Sequence, residues 1–232
     1  MKQYDFNYPR SSDQVIIVQN SLIRQVYAWM GLGLAITAVM ALVTVSSPEL
    51  FKAIVGNRPV FYGLMIGELA LVFILSGALD RLSATVATLL FLGYSLLNGV
   101  TLSVIFLVYT ADSIASTFFV TAATFGAMSV YGAVTKKDLT SWGSFLFMGL
   151  IGVVIASVVN IFLRSDSVSW VLSAIGVIVF TGLTAYDTWK IKALAADGVT
   201  GRKPAILGAL TLYLDFINLF LMLLRFMGGR RD

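Results

Sequence analysis

Two aspartates carry the chemistry this chain could do. Asp215 sits in the middle of TLYLDFINLFLMLLR and is the only charged side chain between Pro204 and Leu224; Asp187 lies in TGLTAYDTWK, near the end of the preceding apolar run. A carboxylate at the centre of a spanning helix costs roughly 2.5 to 3.5 kcal/mol, so it should face protein or water, and it hints at function. Gly208, Thr211 and Asn218 fall at i−7, i−4 and i+3 from Asp215, on one side of a helix, which turns that face inward. From the same membrane boundary Asp187 would lie about five residues deep and Asp215 about nine, a difference of roughly one helical turn. Helix tilt can close that gap. Two carboxyls meeting in a low-dielectric site cannot both ionise cheaply; they would share one proton and respond to pH. The other reading is that each is separately satisfied by Thr, Asn or Tyr groups and only cements packing.

Three further features belong with the pair. Arg81, at the head of the third apolar run, is the cation best suited to a carboxylate, because its forked, always-charged guanidinium can bind bidentately. Beside Asp80 it could equally snorkel at the interface. Glu68 interrupts the second run and should be protonated or hydrogen-bonded there, with structural and ion-path roles both open. Tyr94, Asn98 and Thr101 form a polar edge on the third run, for which core hydrogen bonding is the plain explanation.

The elements that must position these groups follow from composition. The chain is 58% hydrophobic and 12% charged, where a soluble domain carries about 25% charged residues. It reads as an all-α, multi-pass membrane protein. With no Cys and no His, disulfides, thiol chemistry, imidazole-held haem or zinc, and Ser–His or Cys–His nucleophile pairs are excluded. The formal charge of +4 comes from Lys and Arg lying mostly outside the apolar runs, where they report topology rather than nucleic-acid binding.

Seven runs are long enough to span: residues 27–45, 59–79, 82–109, 114–134, 144–163, 168–189, and a last one containing 211–225. The third is longer than a span requires, and tilt would take up the excess. Residues 1–24 read as a polar, partly disordered tail, 25–228 as one transmembrane domain, and 229–232 as a short basic tail. Gly63 and Gly67 have GxxxG spacing, which ordinary packing in a Gly-rich membrane chain accounts for. Lys and Arg outnumber their counterparts on the side of the N-terminus, which places that end in the cytoplasm. Arg225, Arg230 and Arg231 run against this bias, and a last segment that dipped in and returned would remove the conflict. Seven spans are retained because the first helices usually set orientation.

The segment LYLDFINLFLMLLRF, with NGVTLS, KKDLTSWGSFL, NIF and the YD of the sixth run, resembles the Bax inhibitor family, also called the transmembrane Bax inhibitor motif or YccA-type family. The similarity extends from Arg24 onward. It implies a seven-helix bundle with the C-terminal helix at its centre, and a pH-sensitive calcium leak controlled by two aspartates that match Asp187 and Asp215. It also implies a latching arginine at Arg81, although ALDRLS has one arginine where relatives have a basic cluster. Glu68, Asn98, Thr211 and Asn218 would line or support the ion path. Calcium would then be a transported species bound weakly, since no EF-hand or dense carboxylate cluster is present, and no tightly held cofactor is expected. The expected partners are lipid, calcium and protons, with a membrane-embedded protease as an alternative partner and the bacterial inner membrane as location. No enzymatic activity is expected. Intramembrane aspartyl proteolysis is the weaker rival, because the sequence has LYLD where those enzymes have GxGD.

Overall fold

The computed structural model describes residues 12–77, 81–229 and 231, with side chains from residue 16. The first eleven residues of the expected tail, the end of the second expected span at Leu79 with Asp80, and Arg230 lie outside the described residues. The described chain folds as α1 (Ser12–Ser46), α2 (Pro48–Ile54), α3 (Arg58–Gly77), α4 (Ala84–Leu102), α5 (Ile105–Val108), α6 (Ala111–Val134), α7 (Thr140–Leu163), α8 (Asp166–Ala196) and α9 (Arg202–Met227). Seven of these segments, with α4 and α5 counted as one, are long and apolar enough to cross a membrane.

Side chains that satisfy backbone groups mark the helix ends. Ser47, Ser83, Thr110 and Ser165 each accept a hydrogen bond from the backbone N–H three residues on, at the starts of α2, α4, α6 and α8. Each of these bonds satisfies an amide that has no partner within the helix. Between α7 and α8 the chain turns through Arg164, whose φ of 51° is left-handed. Asn160 holds that turn: its amide donates to Ser165 O and Ser169 Oγ, and its carbonyl accepts from Ser165 N.

Two elements differ from the sequence reading. Residues 12–24 are helical and continuous with α1, since Leu22 and Val26 are buried in the bundle and Gln19 donates to Lys192 O at 3.3 Å. The third span does not absorb its extra length by tilt alone. It breaks after Leu102, where Ser103 turns its hydroxyl onto Val100 O at 2.6 Å, and one turn, α5, completes the crossing.

The C-terminal helix is the hub. In α9, 67% of the spanning window is buried inside the protein, against 6% for α3 and 11% for α7. It packs on α8, α1, α6 and α4, while α3 sits outside, chiefly on α4, and α7 outside on α8. Tyr213, Ile206, Leu212 and Leu219 on α9 are essentially inaccessible. Because hydrocarbon tails are as apolar as Leu, close packing rather than water exclusion holds such helices together, and small residues permit it. Gly132 shows why: a Cβ there would collide with the carbonyl oxygen of Ala185, so α6 crosses α8 backbone to backbone, just before Tyr186 and Asp187. A Cβ at Gly63 or Gly67 would meet nothing within 4 Å among the described residues, so neither glycine is needed for a close helix approach there.

Candidate functional site

Asp187 on α8 and Asp215 on α9 are brought together. Their carboxyls are within hydrogen-bonding reach of each other, and both line a cavity of about 480 Å³ walled by α7, α8 and α9. Asp215 is 5% exposed, and its Oδ2 is buried with no hydrogen-bond partner among the described groups. Asp187 is half-buried. The polar neighbours on α9 do not satisfy the pair: Thr211 donates to Leu207 O at 3.1 Å and Asn218 to Leu214 O at 2.8 Å, each on its own helix, while both line the cavity. The arrangement is thus a facing carboxyl pair rather than two aspartates separately matched to neutral groups. Two such groups can exchange or share a proton, and the side that is ionised can meet a cation.

Arg81 is not brought to this site. It is exposed at the head of α4 and forms no ion pair with either aspartate. The reason is topological, since α4 packs on α1, α3 and α9 while the cavity is walled by α7, α8 and α9. The cation that acts on Asp187 is Lys190, one turn further along α8, which lines the same cavity. Sequence reasoning proposed no cation on the sixth span, although the i+3 spacing of Lys190 from Asp187 carried the signal.

Glu68 belongs to a second polar cluster. Thr101 Oγ1 donates to Glu68 Oε1 at 2.8 Å and Asn98 Nδ2 to Oε2 at 3.5 Å. Tyr213 then donates to Asn98 Oδ1 at 3.0 Å, and its hydroxyl lies 2.6 Å from Thr37 Oγ1. The chain of bonds links peripheral α3 to α4, α9 and α1. Asn98 is therefore tied to Glu68, and the polar edge on the third span serves this cluster. Among the described residues no group of three or more His, Cys, Asp or Glu could hold a metal ion.

Residues 19–232 match the family described as inhibitor of apoptosis-promoting Bax1. The chain belongs to the Bax inhibitor family. It is 53% identical to the inner membrane protein YbhL of Escherichia coli K12, covering 97% of this chain and 99% of that one. It is 47% identical to an uncharacterized protein of Borreliella burgdorferi, over 94% and 96% of the two chains, and 41% identical to an uncharacterized membrane protein of Streptococcus pyogenes serotype M6, over 95% and 100%. The Bax inhibitor match runs from residue 19, within the first spanning helix, through the other six and takes in both aspartates.

Proposed function

We propose that this protein is a proton-gated cation leak of the inner membrane, with calcium as the transported ion and Asp187 and Asp215 as the gate. One observation carries the reading: two carboxyls in contact, one with a buried oxygen unpartnered among the described groups, lining a cavity. With the pair ionised, α8 and α9 repel at that point and the site attracts a cation. With a shared proton, the pair is a hydrogen bond. Protons then select between two arrangements of the helices by their different affinity for each.

An apolar barrier beyond the cavity supports a closed state here. Phe216 packs against Phe118 and Phe125 with ring centres 5.6 and 5.4 Å apart, and Phe118 also meets Phe220. Phe118, Phe216 and Phe220 also line a largely apolar pocket between α1, α6 and α9, so on this reading conduction requires α9 to shift against α6. The Glu68 cluster ties α3 and α4 to α9 and places a second carboxylate group within the bundle. By the excess of Lys and Arg in alternate loops, the N-terminus and the cavity face the cytoplasm.

The test is calcium entry into proteoliposomes at acidic and neutral pH. The leak reading requires flux that differs between the two pH values and that loses this dependence in Asp187→Asn and Asp215→Asn. Equal flux and equal pH dependence in wild type and both variants would refute it. The carboxyl pair also suits aspartyl proteolysis, against which stands Leu214, a bulky residue lining the cavity directly before Asp215. Cleavage of a transmembrane peptide by wild type and not by Asp215→Ala would favour that chemistry instead.

A further inference from the structure

Lys190 is placed at the junction of two cavities. It lines the one that holds Asp187 and Asp215 and also a second, of about 290 Å³, between α8 and α9, where Asp187 and Thr211 again form the shared wall. Its ammonium acts electrostatically on Asp187 and lies 5.9 Å from the ring centre of Tyr186. That ring is itself fixed. Gly143 on α7 leaves the space it fills, because a Cβ at Gly143 would overlap the Tyr186 ring. Tyr186 thus supplies an aromatic face for the ammonium, which attracts it through the ring quadrupole. We propose that Lys190 is a tethered counter-charge beside the carboxyl pair, and that a divalent cation entering the site must overcome its field, so that Lys190 sets how far the site prefers divalent to monovalent ions.

The physics fixes the direction. A positive side chain lowers the local concentration of every mobile cation, and of a divalent one by the square of the factor that applies to a monovalent one. Removing the charge and keeping the stem therefore raises the divalent share, while exchanging one cation for another does not. This inference rests on the leak reading for its transport consequence, but not for binding, which allows the two to be separated.

The experiment compares wild type, Lys190→Gln and Lys190→Arg in proteoliposomes, with calcium and potassium fluxes measured in parallel. In Lys190→Gln the calcium-to-potassium ratio rises about tenfold at moderate ionic strength, and in Lys190→Arg it stays at the wild-type value. Wild-type flux with an unchanged ratio in Lys190→Gln, or with the same rise in Lys190→Arg, overturns the proposal and leaves the leak reading standing. The second arm measures calcium displacement of terbium luminescence from the detergent-purified full chain. There Lys190→Gln binds calcium several-fold more tightly, and Asp187→Asn in the same chain cancels the gain. If no variant conducts, the leak reading fails and this arm decides: tighter binding upholds Lys190 as the tethered counter-charge, and unchanged binding removes it.

Discussion

Tyr213 donates its phenolic hydrogen to Asn98 at 3.0 Å, from a side chain that is completely buried on the central helix. The ring packs edge-on against Phe91 and Tyr94, with centres 5.9 and 5.7 Å away. Its position on α9 is two residues before Asp215, so the helix presents the phenol and the carboxyl to different sides: one to α4 and α1, the other to α8. One helix therefore anchors the bundle and carries the gate.

Tyr213→Phe keeps the ring contacts and removes the hydroxyl, leaving Asn98 Oδ1 without its donor. The expected loss is about 1 to 2 kcal/mol, since an unmade buried bond costs more than the net value of a made one. Thermal unfolding in detergent measures it. Asn98→Ala in the same background should add little, because both changes disrupt one network. Full additivity would show that the phenol and the amide are energetically separate.

Much of this was legible before any coordinates. Seven spans, the inward face of Asp215 and its depth within about one helical turn of Asp187 follow from charge placement and the small and polar residues beside Asp215, because lipid penalises each exception severely enough to make it visible. What was not legible depends on which helix lies beside which. The Arg81 latch failed to form because hydropathy orders spans along the chain and says nothing of their neighbours, so α4 could not be known to lie away from the α7–α8–α9 cavity. The partnership of Glu68 with Thr101 was hidden for the same reason. The break at Ser103 was missed because a uniformly apolar run conceals a hydroxyl that competes for its own backbone.

Asp215→Asn should raise the melting temperature, and more at alkaline than at acidic pH. Asp215 leaves a buried oxygen unpartnered and faces a second carboxyl. At high pH the wild type must hold two like charges or bind a proton from dilute solution, whereas an amide can donate to Asp187 directly. At low pH the wild-type pair already shares a proton, and the gap narrows. The expected gain is about 1 to 3 kcal/mol at the alkaline end, in keeping with functional groups that cost stability. Melting curves at several pH values check it; a variant that is less stable throughout would mean the carboxyl pair strengthens the fold.

Outside the membrane, Asp138 in the α6–α7 loop accepts hydrogen bonds from Thr140 Oγ1 at 2.6 Å and Thr140 N at 2.8 Å. These bonds favour the ionised carboxylate, the hydroxyl most strongly, and hold its pKa below the ordinary aspartate value. A depressed folded-state pKa contributes stability above the unfolded value, lost as pH falls through the folded one. Thr140→Ala removes the hydroxyl and keeps the amide. The Asp138 titration, followed by NMR of carboxyl-labelled aspartate, should shift partway back toward the ordinary value. An unmoved midpoint would assign the depression to another cause.

Gly132→Leu tests whether the approach of α6 to α8 positions the gate. A Cβ at Gly132 meets Ala185 O and lies 3.0 Å from Thr188 Cβ, the residues that flank Tyr186 and Asp187. Backbone cannot yield as a flexible side chain can, so α8 must move outward or rotate, at a cost of about 1 to 3 kcal/mol for the overpacked contact. Gly132→Ala should do the same to a smaller extent. Rotation of α8 would also carry Asp187 away from Asp215, so both variants should weaken the pH dependence of calcium flux in the order Leu over Ala, alongside the fall in melting temperature. Because Gly132 touches neither carboxyl, loss of stability with an intact pH response would show that the pair keeps its contact when this crossing is loosened, and that α1, α7 and α9 hold Asp187 in place.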